Sequence, residues 1–154
     1  MCRVVTLSKP PRRTYLAGLP QKPIHVLLAD DDDSILDAVR SLLEAEGDLK
    51  VVGCASDGND AVLLARQLRL DVAILDIGML GIDGIEAARR IIKIAPETRI
   101  VMLSAHASPA HVIGALQAGA HGYVAKQSLC KDLLPALRTV LAGRRYLSAS
   151  LKTS

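Results

Sequence analysis

The chain has 154 residues, half of them hydrophobic and 23% charged, which is the size and composition of one folded domain. Aromatic residues make up only 2% of it, which argues against modules that bind single-stranded nucleic acids by stacking bases on aromatic rings. No apolar run approaches the roughly 20 residues that a membrane-spanning helix needs. The three cysteines are scattered without metal-ligand spacing, which is typical of a cytoplasmic protein.

The net charge of +3 is concentrated at the amino terminus. Residues 1–23 contain five basic residues and no acid, whereas the rest of the chain contains 14 basic and 16 acidic residues and carries a net charge of −2. The same 23 residues include four prolines and show no sustained periodicity, so we predict a flexible basic arm there. The remainder is mildly acidic, which argues against a nucleic-acid-binding core.

From Ile24 onward, short apolar runs alternate with segments of helical periodicity. The first half of the pattern predicts strands at residues 24–29, 50–55 and 71–75, with helices over residues 34–46 and 62–68. A glycine-rich loop then leads to a helix near residues 85–94, which Pro96 ends, and to a strand at residues 99–103. Ser108 and Pro109 are typical of the start of a helix, here over residues 108–119. The last predicted strand covers residues 121–125, and Ser128 is placed to cap a final helix.

These ranges give five strands, each followed by a helix. Within each strand the apolar residues form a nearly continuous run, without the regular alternation of apolar and polar residues that a half-exposed strand shows. This pattern indicates that both faces of each strand are buried. We therefore predict an α/β fold in which helices cover both faces of a parallel sheet. In open sheets of this kind, ligands bind beyond the carboxyl ends of the strands.

Polar side chains follow four of the predicted strands at their carboxyl ends. Asp30 and Asp31 follow the first strand, Asp76 the third, Ser104 the fourth and Lys126 the fifth. Two carboxylates about 5 Å apart repel by roughly 3 kcal/mol at an effective dielectric near 20, so such a cluster needs a counter-charge. Carboxylate oxygens beside a single lysine suit Mg²⁺, and a carboxylate next to bound Mg²⁺ can attack a phosphoryl group.

The same residues lie in motifs that resemble the receiver domain of two-component response regulators. These motifs are Leu28-Ala29-Asp30-Asp31, Leu75-Asp76 followed by Met79, Gly81, Asp83 and Gly84, Met102-Leu103-Ser104-Ala105, and Gly122-Tyr123-Val124-Ala125-Lys126. The resemblance covers residues 24–148 and is greatest to the branch whose receivers precede a helix-turn-helix DNA-binding domain. It implies a flavodoxin-like, doubly wound (βα)5 sandwich with a five-stranded parallel sheet in the order 2-1-3-4-5.

By this resemblance, Asp76 is the phosphoacceptor and takes its phosphoryl group from a sensor histidine kinase. Mg²⁺ is the implied cofactor. Its implied ligands are Asp31 directly, Asp30 through a water, Asp76, and the backbone carbonyl of Gly78.

The resemblance also implies a switch around the phosphoryl group. Lys126 pairs with the phosphoryl oxygens and Ser104 donates a hydrogen bond to one of them. Tyr123 rotates inward to fill the space that Ser104 leaves. The helix over residues 108–119 has few large apolar residues, and we expect it to be the moving part.

Two neighbouring features have other interpretations. Asp32 and Asp33 fit the start of a helix better than a metal site, because negative charge is favourable at a helix amino terminus. Gly78, Gly81 and Gly84 do not form a dinucleotide-binding fingerprint, because they follow the third strand and have the wrong spacing.

The sequence departs from the receiver pattern at three places near the site. Leu80 replaces a usual proline, which makes the loop after Asp76 more flexible. Asp32 and Asp33 make the mouth of the site more acidic, so we expect tighter divalent binding or slower approach of anionic donors. His106 lies where the family tunes phosphoryl lifetime, and it is read equally well as a modulator or as an exposed loop histidine.

After Ser148 only residues 149–154 remain, and we interpret them as a tail without room for a DNA-binding domain. The prediction is a phosphoacceptor switch that is not a conventional enzyme. It acts through protein contacts linked to transcription regulation, without direct binding to DNA or membranes. A symmetric homodimer through the fourth or fifth helix fits the sequence, which does not choose the face. The alternatives are a receiver-like interaction module that no longer cycles phosphate, and a phosphatase, for which the length leaves no substrate-specificity insertion.

Overall fold

The computed structural model describes residues 22–106 and 108–152, without the side chain of Lys152. The predicted arm at residues 1–23 lies outside the described residues except for its last two positions. The strands and helices alternate along the chain as β1 (Ile24–Ala29), α1 (Asp33–Glu44), β2 (Leu49–Ala55), α2 (Gly58–Gln67), β3 (Val72–Asp76), α3 (Gly84–Ile94), β4 (Arg99–Ser104), α4 (Pro109–Gln117), β5 (Gly122–Ala125), α5 (Leu129–Leu141), β6 (Tyr146–Leu147) and α6 (Ala149–Lys152).

Side chains at the strand-to-helix junctions fix where four of the helices begin. Asp32, Asp57, Asp83 and Ser108 each accept a hydrogen bond from a backbone N–H in the first turn of the helix that follows. Ser128 is the N-cap residue of α5, as predicted, but its side chain makes no capping hydrogen bond. A short 3₁₀ turn at Lys126–Ser128 precedes this helix, and the Ser128 hydroxyl donates back to the carbonyl of Ala125 at 3.3 Å.

All strand pairs are parallel, and their order is β2-β1-β3-β4-β5-β6. The predicted α/β fold and the order of the first five strands are confirmed. Helices α1 and α5 pack on one face of the sheet, while α2 and α3 pack on the other together with Ala115 of α4. None of the helices in the described ranges has the length and hydropathy of a membrane span.

The prediction of a five-stranded sheet followed by a tail is incomplete, because the chain after α5 returns to the sheet. Tyr146 donates its N–H to the carbonyl of His121 at 3.1 Å, and Ser148 donates its N–H to the carbonyl of Tyr123 at 3.0 Å. Residues 146–152, which we term the C-terminal segment, thus add strand β6 to the edge of β5 and continue into α6. Two residues of strand are too few for a periodicity signal, so the pattern could not have predicted this strand.

His121 directly precedes β5, and its side chain accepts a hydrogen bond from a backbone N–H of the neighbouring strand β4. The N–H of Ile100 on β4 donates to Nδ1 of His121 at 3.0 Å. Burial lowers the pKa of His121 below its usual range, and the positive charges of Arg99 and Arg145 lower this pKa further. Protonation of Nδ1 would remove this acceptor, so the folded state holds the imidazole neutral.

We predict that the free energy of unfolding depends on pH through His121. Because the pKa of His121 is lowered in the folded state, the unfolded chain takes up the proton first. The contribution of neutral His121 to the free energy of unfolding is therefore fully present above the ordinary histidine pKa of about 6.5. Below this pH, the free energy of unfolding falls by at most about 1.4 kcal/mol per pH unit. Urea unfolding between pH 5 and 8 measures this slope.

The matched control is His121→Asn, which keeps an acceptor near the Nδ1 position but cannot titrate. We expect its unfolding free energy to change less over the same pH range. Equal slopes in the two proteins would contradict a role of His121.

Candidate functional site

The three predicted carboxylates meet at the carboxyl edge of the sheet because β1 and β3 are neighbours. Asp76 is the last residue of β3, and Asp30 and Asp31 follow β1 directly. One carboxylate oxygen from each of the three lies within 4.8 Å of the others. Asp30 and Asp76 are buried, with 1% and 6% of their surface exposed, while Asp31 is open to solvent.

Lys126, the first residue after β5, supplies the counter-charge. Its Nζ lies 2.7 Å from Oδ2 of Asp30 and 3.2 Å from Oδ1 of Asp76. Burial opposes the charged form of this lysine, but the two carboxylates, Asp30 above all, outweigh it and raise the pKa of Lys126. The ammonium group therefore stays protonated between the two acids.

Asp30 is the most deeply placed of the acids. Burial raises its pKa above the usual range, although Lys126 and the N–H of Asp32 both favour its charged form. The Asp32 N–H donates to Oδ1 at 2.9 Å. Oδ2 faces the lysine as an ion pair, but among the described residues it accepts no well-aligned hydrogen bond. This oxygen retains acceptor capacity that a bound cation or its water can use.

The loop after Asp76 runs close beside this carboxylate. Gly78 is exposed, and a Cβ built on it would lie 4.0 Å from Oδ2 of Asp76, so the backbone of Gly78 is near the predicted metal site. Met79 is buried beneath the loop, whereas Leu80 is 75% exposed. Leu80, at the position where the family usually has proline, thus presents an apolar side chain to solvent.

The end of this loop is held by a close approach of two backbones. A Cβ built on Gly84, the first residue of α3, would lie 2.1 Å from the carbonyl oxygen of Asp76. The N–H of Gly84 also donates to the carbonyl of Ile77 at 3.0 Å. Position 84 therefore requires glycine for α3 to begin against the strand that carries Asp76.

Ser104 ends β4 and faces the following loop. Its hydroxyl donates to the carbonyl of His106 at 2.6 Å and accepts from the His106 N–H at 3.2 Å. Among the described residues, no hydrogen bond joins Ser104 to Asp76, and the bond from Ser104 to a phosphoryl oxygen stays a prediction. The His106 side chain is exposed, and its role as a modulator of phosphoryl lifetime stays a prediction.

Tyr123 on β5 is fully buried, with 0% of its surface exposed. Burial raises its pKa, an effect that the nearby Ser104 hydroxyl opposes and the charge of Asp76 reinforces. The Tyr123 hydroxyl nevertheless makes no well-aligned hydrogen bond with the described residues. Leaving a buried hydroxyl without a partner costs about 1–3 kcal/mol. We term this buried placement of the Tyr123 ring its inward position.

The interpretation of Asp32 and Asp33 as a helix start is confirmed. Oδ1 of Asp32 accepts from the N–H and the hydroxyl of Ser34, at 2.9 and 2.6 Å, and these bonds lower the pKa of Asp32. Asp33 is the first residue of α1. Both side chains are exposed beside the site, where they add negative charge at its mouth.

The sequence analysis missed a second polar cluster behind Tyr123. Asp132 of α5 is buried and accepts hydrogen bonds from the hydroxyls of Ser148 and Tyr146, at 2.7 and 3.0 Å. In the sequence Asp132 resembles an ordinary acid in the first turn of a helix. Its partners lie on a strand that the periodicity does not reveal, so no local signal marks the cluster.

Comparison with known proteins agrees with this geometry. The family model of the response regulator receiver domain matches residues 26–138. The chain belongs to this family. It is 38% identical over 128 residues to the response regulator UvrY of Escherichia coli K12, and 37% identical over 129 residues to the response regulator GacA of Pseudomonas aeruginosa PAO1. These matches cover 83% of the receiver chain but only 59% and 60% of the relatives, so the chain spans about three fifths of their length.

A solved structure gives the same fold. The crystal structure of a LuxR-family two-component response regulator from Aurantimonas sp. SI85-9A1 has a TM-score of 0.81 and 32% sequence identity to the receiver. The match covers 86% of this chain and 94% of that one. The protein is thus a receiver domain of two-component signalling, with relatives among transcription-linked response regulators.

We predict that Gly84→Ala disturbs the site through the backbone. Its Cβ would overlap the Asp76 carbonyl, so we expect a loss of about 1–3 kcal/mol in the free energy of unfolding, measured with urea. The control is Gly114→Ala within α4, where the nearest atom to the new Cβ is the Ile85 Cδ1 at 3.4 Å. That change should be neutral or stabilising, because alanine favours helix. Equal losses in the two variants would contradict the specific role of the contact at Gly84.

Proposed function

We propose that this receiver accepts a phosphoryl group on Asp76 from a sensor histidine kinase, with Mg²⁺ bound by the neighbouring carboxylates. The observation that carries the proposal is the position of Asp76. Its buried carboxylate lies within 4.8 Å of two other acids, and its Oδ1 lies 3.2 Å from the Lys126 ammonium group. Three negative charges and one positive charge leave a surplus that a divalent cation would balance.

The donor set supports magnesium as the cofactor. Mg²⁺ prefers oxygen ligands, takes one or two carboxylates and keeps several waters. In the proposed site, Asp76 and the exposed Asp31 bind the metal directly, and Asp30 acts through a water. The backbone carbonyl of Gly78 adds a further oxygen. When bound, the metal would neutralise charge on the phosphoryl oxygens during transfer.

The chemistry assigned to this chain is a single displacement at phosphorus. A carboxylate oxygen of Asp76 forms the new P–O bond as the P–N bond of the phosphohistidine breaks, and the imidazole leaves with the electron pair. The Lys126 ammonium group then pairs with one phosphoryl oxygen. The Ser104 hydroxyl breaks its bonds with His106 and donates to a second phosphoryl oxygen. Later hydrolysis of the aspartyl phosphate restores Asp76. The protein is thus its own substrate, and we propose that it is a switch and not a conventional enzyme.

Helix α4 is the proposed moving part. It follows the Ser104 loop directly, and within it Ala115 is the only fully buried residue. Loss of the hydrogen bonds between Ser104 and His106 would free the loop, and a helix with so little buried surface can shift at low cost.

The remaining assignments concern partners. We propose a cytoplasmic location, contact with a histidine kinase, homodimerisation through the α4 or α5 faces, and an output that reaches transcription through protein contacts. The net charge of −2 on residues 24–154 supports a chain that does not itself bind DNA.

The first test is intact mass after incubation with acetyl phosphate and Mg²⁺. We expect a single phosphoryl adduct on the wild type, and none on Asp76→Asn or in the presence of EDTA. An adduct that forms equally on Asp76→Asn would contradict the assignment of the phosphoacceptor.

A non-cycling interaction module is the second candidate, because the loop after Asp76 departs from the receiver pattern and presents Leu80 as a solvent-exposed apolar side chain. This function predicts a folded protein that binds Mg²⁺ but forms no adduct with either acetyl phosphate or a phosphorylated kinase. The mass measurement therefore separates the two functions.

We also predict a graded loss of Mg²⁺ affinity, measured by isothermal titration calorimetry at constant ionic strength. Asp31→Asn removes a proposed ligand and should weaken binding about tenfold or more. Asp32→Asn removes one nearby charge but keeps the helix cap, since asparagine also caps helices, and should weaken binding only about two- to threefold. Unchanged affinity in Asp32→Asn would contradict the effect expected from the acidic mouth, and unchanged affinity in Asp31→Asn would contradict its role as a ligand.

A further inference from the structure

We propose that Ser148, fixed by Asp132, is a positioning residue that holds Tyr123 in its inward position and thereby couples the C-terminal segment to the phosphorylation site. The inference deepens the proposed function and rests on it, because the inward position of Tyr123 matters through phosphorylation of Asp76. It concerns residues that lie outside the acidic site itself.

The first step of the argument is the anchoring of Ser148 to β5. This residue is fully buried. Its N–H donates to the carbonyl of Tyr123 at 3.0 Å, and its hydroxyl accepts from the N–H of Ala125 at 3.2 Å. Ser148 therefore bonds to the backbone on both sides of Val124, and it fixes the position of the strand from which the Tyr123 ring projects.

The second step is the attachment of Ser148 to α5. Its hydroxyl donates to Oδ2 of Asp132 at 2.7 Å, while the Tyr146 hydroxyl donates to Oδ1 at 3.0 Å. The hydrogen bond from Ser148 and, less strongly, the one from Tyr146 lower the pKa of Asp132 despite its burial. The charged carboxylate is a strong acceptor, and it joins β5, α5 and the C-terminal segment in one network.

The third step is the packing around the ring. Leu147 is the register partner of Tyr123 on β6, and both Leu147 and buried Leu151 belong to the hydrophobic cluster that contains Tyr123. The Tyr123 hydroxyl has no aligned partner, and Ser104 is bonded to His106. The hydrogen bonds of the Tyr123 hydroxyl therefore do not explain why the Tyr123 ring is buried. Packing against the C-terminal segment and the backbone bonds of Ser148 favour this position.

Coupling follows from thermodynamic linkage. If the C-terminal segment favours the inward ring, and phosphorylation also favours it by drawing Ser104 towards Asp76, each event must strengthen the other. A phosphoryl group on Asp76 would hold the C-terminal segment more firmly, and loosening of this segment would weaken the phosphorylated state.

The test uses the full chain labelled with 3-fluorotyrosine, because only three tyrosines are present and three ¹⁹F signals can be assigned with Tyr→Phe variants. In Ser148→Ala, without any phosphoryl analogue, we expect the Tyr123 signal to move towards the solvent-exposed shift. We also expect the affinity for beryllofluoride, a phosphoryl analogue, to fall about three- to tenfold with Mg²⁺, the effect of losing one or two hydrogen bonds. Ser41→Ala, an exposed serine on α1, is the matched control and should resemble the wild type.

The reciprocal measurement is amide hydrogen exchange of the wild type. Beryllofluoride with Mg²⁺ should slow exchange at the N–H groups of Ser148 and Leu151, which donate to the carbonyls of Tyr123 and Ser148. Unchanged exchange at both amides in a protein that binds the analogue would overturn the coupling.

The positioning role would be overturned by a folded Ser148→Ala protein whose Tyr123 signal matches that of Ser41→Ala. If Ser148→Ala does not fold, Tyr146→Phe decides the matter, because it removes one bond to Asp132 and keeps the ring packing. An unshifted Tyr123 signal in that variant would then overturn the proposal. The ¹⁹F shift needs no phosphoryl analogue, so failure of the wild type to bind beryllofluoride or to form an adduct would count against the proposed function alone.

Discussion

The ion pairs of Lys126 with Asp30 and Asp76 are the constraint on which the site depends. Parallel strands bring three carboxylates to one edge of the sheet, and repulsion among them in a partly buried place is costly. One ammonium group at 2.7 and 3.2 Å offsets part of this cost and keeps two buried acids compatible with folding. It leaves two negative charges uncompensated, so the arrangement that makes the free site electrostatically unfavourable also suits it to a divalent cation and a transferable phosphoryl group.

The two sides of this charge cluster differ in how firmly they are packed. On one side, β1 and β3 are central strands, and Gly84 lets α3 begin directly against the backbone of Asp76. On the other side, Ser104 is bonded to its own loop, and α4 buries little beyond Ala115. The proposed chemistry needs fixed carboxylates and the proposed switch needs an element that moves at low cost, and these two neighbouring parts of the fold would supply them.

The C-terminal segment adds backbone contacts to β5, the strand that carries Tyr123. A receiver with a five-stranded sheet would leave the edge of β5 open, but here β6 covers this edge. Ser148, which follows β6, donates its hydroxyl to the buried carboxylate of Asp132. Tyr123 lies between this network and Ser104, with a hydroxyl that lacks an aligned partner. A buried hydroxyl without a partner costs free energy, and the apolar packing around the ring must offset that cost.

The sequence by itself determined the fold class, the first five strands and the residues of the acidic site. Strands buried on both faces appear as continuous apolar runs, and the carboxyl ends of parallel strands must meet at one edge, so Asp30, Asp76 and Lys126 could be placed together. The sequence also predicted that Asp32 starts a helix. Only the tertiary structure decided that the Ser128 side chain makes no capping bond, that Tyr123 is fully buried, and that Asp132, Tyr146 and Ser148 form a hydrogen-bonded network. Each of these depends on contacts between distant segments, and a two-residue strand or a single buried acid has no periodicity to mark it.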